Sequence, residues 1–233
     1  MDLKGKYVVI TGVSRGIGSA LVHQFLAKGC VVGGMGLTDP KLDHPNFRFY
    51  KTNIRKSENV QKSFRSFLKE SNNQLDVLVN NAGLGYFGKI EDYTDEQIAQ
   101  MFEANVYGTL YTCREAVPVM KSQQSGHIIN IASTAALEGY PEVSVYCATK
   151  HAVKAISESM YKELRDYAVK VTCVYPGSVK TDFFRNVESI EPHDYMLMPE
   201  DVATMIVQAT EMPANFHQVN LEVRPLQPKG PKR

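Results

Sequence analysis

The chain has 233 residues, 26 of them basic and 25 acidic, so no global field recruits nucleic acid or an anionic membrane. No apolar run reaches the roughly 18 residues of a spanning helix. Nothing at the start resembles a signal peptide, and the four cysteines (Cys30, Cys113, Cys147, Cys173) lack metal-ligand spacing. The expectation is a soluble, cytoplasmic, metal-free protein with buried, reduced thiols.

Short β-branched runs alternate with helical patterns along the chain. Tyr7–Thr11, Val31–Met35, Phe47–Tyr50, Leu75–Asn80, His127–Ala132, Val169–Tyr175 and Val219–Val223 read as strands. Several are apolar almost throughout, as parallel strands covered on both faces are. Helical patterns lie near 17–28, 57–72, 94–122, 145–167 and 199–212. The third opens with Thr94-Asp95-Glu96-Gln97, a capping box. The last carries Pro199 in its first turn, where a missing N–H costs nothing. The alternation predicts right-handed crossovers and one α/β domain over 1–233, a doubly wound, seven-stranded parallel sheet flanked by helices. Two stretches break the pattern. Phe183–Met198 is a long connection of the kind that is usually functional or disordered, and the proline- and lysine-rich tail, Pro225–Arg233, reads as a flexible end.

The chemistry gathers in a few turns. The first strand runs into Thr11-Gly12-Val13-Ser14-Arg15-Gly16-Ile17-Gly18 and then a helix. That arrangement cradles a diphosphate on backbone N–H groups and the helix dipole. The alternative is an ordinary tight turn, against which the flanking strand and helix weigh. The fourth strand ends in Asn80-Asn81-Ala82-Gly83, small residues that let a flat ligand lie against the backbone. Asn105, a poor helix former in an apolar setting, reads as buried. Tyr146 and Lys150, downstream of Ser133, share one helix face. An ammonium within about 4–6 Å of a phenol lowers its pKa from near 10 towards a range useful for proton transfer. The sixth strand runs into Tyr175-Pro176-Gly177-Ser178-Val179-Lys180-Thr181, another turn at the carboxyl edge.

Taken in order and spacing, Thr-Gly-x-x-x-Gly-Ile-Gly at 11–18, Asn-Asn-Ala-Gly at 80–83, Asn105, Ser133, Tyr146/Lys150 and Pro176-Gly177 resemble the single-domain short-chain dehydrogenase/reductase family. The resemblance implies a Rossmann fold and an oxidoreductase that moves a hydride between NAD(P) and a secondary alcohol or ketone. It implies that Tyr146 exchanges the proton, that Lys150 lowers its pKa and holds the nicotinamide ribose, and that Ser133 hydrogen-bonds the substrate oxygen. Asn105 holds a water linking Lys150 to solvent. Gly12, Ser14, Arg15, Ile17 and Gly18 hold the diphosphate and neighbouring ribose. Asn80, Ala82 and Gly83 line the adenosine and nicotinamide ribose. Pro176, Gly177, Val179 and Thr181 complete the nicotinamide side, and Asn53 stands where the family usually has an aspartate near the adenine. The stretch 183–198 matches the family's substrate lid. Relatives pair through the 94–122 and 145–167 helices, which implies a homodimer or homotetramer.

Cofactor choice turns on the end of the second strand, near Gly36. Gly36-Leu37 offers no acid for a ribose 2′-hydroxyl, Asp39 precedes Pro40 as a turn residue, and Arg15 resembles the basic residue that meets a 2′-phosphate. NADP is the expectation, with NAD the alternative. For the substrate, a hydroxy acid, a β-hydroxy amino acid or a 3-oxoacyl compound is open. The ending of the chain favours the first two over the last, and Arg185, His193 and Lys180 would suit a polar group. Tyr140, Glu138 and Asp194 are further candidates for the pocket. His127 and Cys147 read as structural. The rival from another class is a non-catalytic NADP(H)-binding regulator, though such a protein has no need of both Tyr146 and Lys150.

Overall fold

The structure is a computed structural model that describes residues 2–181, 183 and 193–228. In chain order its main elements are β1 (Tyr7–Thr11), α1 (Gly16–Ala27), β2 (Val31–Gly36), β3 (Phe47–Lys51), α2 (Ser57–Glu70), β4 (Val77–Asn80), α3 (Asp95–Phe102), α4 (Gly108–Gln123), β5 (Gly126–Ile131), α5 (Ser144–Leu164), β6 (Val169–Pro176), α6 (Pro199–Glu211) and β7 (Asn220–Val223). The strands form one sheet, all parallel, in the order β3-β2-β1-β4-β5-β6-β7. This is the doubly wound Rossmann arrangement expected from the alternating pattern.

Successive strand residues point to opposite faces, and the core divides accordingly. Val8 and Ile10 of β1 join Leu21, Phe25 and Ile206 on the α1/α6 side. Val9 joins Phe64, Phe67, Ala116 and Met120 on the other. Both faces are buried, which is why the central strands read as unbroken apolar runs.

Two expected boundaries move for identifiable reasons. Ladder pairing in β4 begins at Val77 rather than Leu75. The Leu75 N–H donates to the Gln123 side chain at 2.9 Å, and the Asp76 carboxylate accepts from the Tyr7 N–H at 2.8 Å while pairing with Lys6 at 3.0 Å. The single helix read over 94–122 is three pieces. The capping box at Thr94 forms as expected. After α3, however, Glu103–Tyr107 is a π-helical turn that leads into α4. Such turns are rare and frequently sit at functional sites.

Behind the carboxyl edge of the sheet runs a chain of buried polar side chains. The Thr112 hydroxyl donates to Asn80 Oδ1 at 2.6 Å, and Asn80 Nδ2 donates to Asn130 Oδ1 at 2.8 Å. Asn130 Nδ2 in turn donates to Ser157 Oγ at 2.9 Å, which donates to the Val153 carbonyl at 2.7 Å. These contacts tie α4 to α5 through the paired strand residues Asn80 and Asn130. Because every strand runs the same way, Thr11, Gly36, Asn80, Ile131 and Pro176 all end on one edge, where a doubly wound sheet binds its ligands.

Candidate active site

The turn between β1 and α1 is built on glycines for steric reasons. Gly12 and Gly16 have φ of +73° and +58°, a region other residues avoid. A Cβ added to Gly18 would lie 2.1 Å from the Gly12 carbonyl oxygen, so only hydrogen lets the helix start this close to the strand. No side chain caps α1 and no acid stands in its first turn. Its first N–H donors and the positive end of its dipole therefore face the turn, which suits a diphosphate. Asn81 clasps the turn from β4. Its Nδ2 donates to the Thr11 and Gly12 carbonyls at 3.0 Å each, and the Thr11 hydroxyl accepts from the Asn81 and Ala82 N–H groups. Ser14 and Arg15 are exposed at the mouth and Ile17 is half-buried. The loop after β6 closes the other side, since a Cβ on Gly16 would meet Thr181 Cγ2 at 3.2 Å.

Of the two asparagines in Asn80-Asn81, the structure turns Asn80 into the buried polar chain and leaves Asn81 to hold the turn. Neighbouring residues on a strand face opposite ways, and that alternation was the signal from which the division of labour could have been read. Asn53 Oδ1 accepts from the Arg55 N–H at 3.1 Å in a local turn after β3. The Gly36 carbonyl accepts from the Thr52 N–H at 2.7 Å, which fixes the end of β2 as predicted. Asp39 folds back on its own turn, accepting from the Lys41 N–H at 2.8 Å.

Ser133, Tyr146 and Lys150 converge at the end of β5. The Ser133 hydroxyl, seated on a short 3-10 turn by the Ala135 N–H at 3.1 Å, reaches the Tyr146 phenol. Lys150 is buried; its Nζ donates to the Ile131 carbonyl at 2.9 Å and lies 5.6 Å from the Tyr146 ring centroid. Burial lowers the Lys150 ammonium to about 8. Burial also raises the Tyr146 phenol above its ordinary value, with the Ser133 hydrogen bond offsetting part of the rise. This corrects the expectation that Lys150 pulls the phenol down. Withdrawal from water sets the direction at Tyr146, and one N–H of the Lys150 ammonium is given to the Ile131 carbonyl.

Asn105 sits inside the π turn, fully enclosed. Its Nδ2 donates to the Leu84 carbonyl at 2.8 Å and to Thr149 Oγ1 at 2.9 Å, and its Oδ1 accepts from the Leu84 N–H at 2.8 Å. The Thr149 hydroxyl spends its one proton on the Tyr146 carbonyl at 2.8 Å. Asn105 is thus bonded to the loop after β4 and, through Thr149, to the first turn of α5. The Thr109 hydroxyl takes the Asn105 main-chain carbonyl at 2.8 Å. Gly83 lies over the pair: a Cβ there would come 3.3 Å from Asn105 Oδ1 and 3.7 Å from Lys150 Nζ.

On the β6 side, Pro176 ends its strand opposite Val223, and the Gly177 N–H donates to the Val223 carbonyl at 2.8 Å. Val179 is buried and bridges Leu197, which anchors the far end of the 183–198 stretch. Lys180 pairs with Asp194 at 2.8 Å. Arg185 lies outside the described residues. Phe183 and Phe87, neither singled out from sequence, pack on the Tyr146 ring. The Tyr140 hydroxyl donates to Glu138, which also meets Arg224 at 3.3 Å in a cluster beside β7. All four cysteines are buried and unpaired, and burial pushes the Cys113 thiol up to about 12. Among the described residues no three metal-ligating side chains gather, and no helix is long and apolar enough to cross a membrane. Pro225, the first residue of the expected flexible tail, is buried; a Cβ on Gly177 would lie 3.2 Å from its Cδ.

The comparisons with known proteins agree with this geometry. The short chain dehydrogenase family model matches residues 6–192. An uncharacterized oxidoreductase of Staphylococcus aureus is 33% identical over 232 residues, covering 96% of this chain and 99% of the relative. A serine dehydrogenase from Escherichia coli superposes with a TM-score of 0.85 at 29% identity, over 95% of this chain and 98% of that one. The closed form of a serine dehydrogenase complexed with NADP+ gives a TM-score of 0.86 at 28% identity, over 95% of each. With its sheet order, its glycine turn and its Ser133–Tyr146–Lys150 cluster, the chain belongs to the short-chain dehydrogenase family of oxidoreductases.

Proposed function

We propose that this chain is an NADP-dependent carbonyl reductase and alcohol dehydrogenase, with NAD as a second, weaker cofactor. The observation that carries the reading is the convergence of Ser133, Tyr146 and Lys150 on the same edge as an uncapped, glycine-lined helix N-terminus. A reduced nicotinamide, when bound, supplies a hydride to the carbonyl carbon and is itself oxidised. The residues of the chain do the rest. The Ser133 and Tyr146 hydroxyls donate to the carbonyl oxygen, where negative charge develops as the C–O π electrons move onto it. Tyr146 then gives its proton to that oxygen, which completes the alcohol. A phenol is protonated at neutral pH and so enters this direction as the acid. Lys150 places positive charge beside the phenolate left behind. Asn105 and Thr149 position Tyr146 from below.

NADP is favoured because β2 ends at Gly36 without an acid, Asp39 is turned to its own loop, and Arg15 stands exposed at the cradle. Structural relatives solved with NADP support the same choice. The test follows absorbance of NADPH and NADH with a panel of ketones, aldehydes and oxo acids, using the natural chain and Tyr146→Phe. Turnover should favour NADPH, and the variant should lose about 10²- to 10⁴-fold in kcat with its NADPH affinity kept. Tight NADPH binding without turnover of any carbonyl would instead leave the regulator reading.

A further inference from the structure

Three aromatic rings meet at Tyr146, and each comes from a separate segment. Phe87 lies in the loop after β4, Tyr146 in the first turn of α5, and Phe183 beyond the turn that follows β6. The ring centroids stand 5.9 Å apart for Phe87–Tyr146, 5.6 Å for Phe183–Tyr146 and 6.1 Å for Phe87–Phe183. The two phenylalanines cross at 88°, edge to face, within the range where such pairs attract. Gly85 makes this possible, because a Cβ there would fall 2.8 Å from Phe183 Cζ and 3.2 Å from Phe87 Cε2. The loop that carries Phe87 is pinned. The Gly88 N–H donates to the Glu142 carbonyl at 2.8 Å, and the Tyr93 hydroxyl lies 3.1 Å from the Tyr86 carbonyl. Lys180, on the loop leading to Phe183, is already paired with Asp194.

Resting on the reading of Tyr146 as the proton donor, we propose that the carbonyl reduced here is a neutral ketone or aldehyde bearing an aryl substituent, seated against Phe87 and Phe183. An aryl group gains ring–ring contact beyond the area it buries. A carboxylate on the same carbon is desolvated against two phenyl rings, a cost that Lys180, the cation on that loop among the described residues and already paired with Asp194, does not repay. The reaction is unchanged: hydride to carbon, the Tyr146 proton to oxygen. Phe87 sets specificity because its loop is anchored at both Gly88 and Tyr93.

Binding separates this proposal from the chemistry. Calorimetry on Tyr146→Phe loaded with NADP+ compares 1-phenylethanol, 2-butanol and mandelate, which differ in the aryl group and the carboxylate. The aryl alcohol should bind at least about tenfold tighter than either. Phe87→Ala in the same background should erase its advantage over 2-butanol while leaving the NADP+ affinity unchanged. Mandelate binding as tightly, or a preference that survives Phe87→Ala, overturns the proposal, as does failure of all three alcohols to bind. The ketone panel on the unaltered chain tells the two readings apart. Turnover with a preference for carboxylate or small alkyl carbonyls removes only the aryl assignment, whereas no turnover at all removes the reductase reading beneath it.

Discussion

Burial works on Tyr146 and Lys150 in opposite senses, raising the phenol and easing the proton off the ammonium. The sequence made the pair visible, because four residues apart on a helix is one face. It did not reveal the sign of the phenol's shift, which depends on how much water the folded pocket admits. The pH consequence follows from Lys150. Its value falls from 10.5 to about 8, so the charge is intact below about 8 and lost above it, well before a solvated lysine would discharge. With NADPH as the varied reactant, kcat/KM reports the free chain. It should be level near neutrality and fall about tenfold per pH unit above about 8. A profile level through pH 10 would mean that Lys150 keeps its proton or that its charge is not used. Asn81 was legible in type but not in role: the motif offered two adjacent asparagines, and only the pleat decides which one clasps the glycine turn.

The elements themselves were close to fully legible. All seven strands overlap the runs that marked them, and the central ones read as near-continuous apolar runs because they are buried on both faces. The break between α3 and α4 was not, since its cause lies far away in sequence. Asn105 is held by Leu84 and Thr149, 21 and 44 residues distant, and local periodicity carries no trace of such partners. Thr149 is the test of this arrangement. Thr149→Val removes the acceptor for one Asn105 N–H and the donor to the Tyr146 carbonyl, a loss of about 1–3 kcal/mol in stability. It should also lower kcat more than it raises the KM for NADPH, because the phenol is displaced while the glycine turn is untouched. Thr149→Ser, which keeps the hydroxyl, should restore both. Recovery of stability without recovery of kcat would reduce Thr149 to packing alone.

At the scale of the whole molecule, the amino end of the sheet carries its own titratable group. His127 opens β5, buried, with Nε2 2.7 Å from the Thr172 hydroxyl. Thr172 gives its single proton to the Gln218 carbonyl at 2.7 Å, so His127 donates from Nε2. Burial lowers it from 6.5 to about 3. Its contribution to stability is therefore whole above pH 6.5 and declines as pH falls towards 3, by about 1 kcal/mol for the first unit below 6.5. Chemical denaturation between pH 7 and 5 should show this slope, and His127→Gln, which keeps a donor but cannot titrate, should flatten it. An equal slope in the variant would place the acid sensitivity elsewhere. The buried chain from Thr112 through Asn80, Asn130 and Ser157 to Val153 has a different bearing on the whole. Each member passes one proton in the same direction, so the line has a head and a tail. Shape alone then does not decide which replacements the interior accepts. An aspartate at Asn80 would fill the same volume yet set oxygen against oxygen at Asn130. An aspartate at Asn130 would still accept from Asn80 but have nothing to offer Ser157. Interchange of amide and acid, harmless at many surfaces, is closed off along this line by polarity rather than by size.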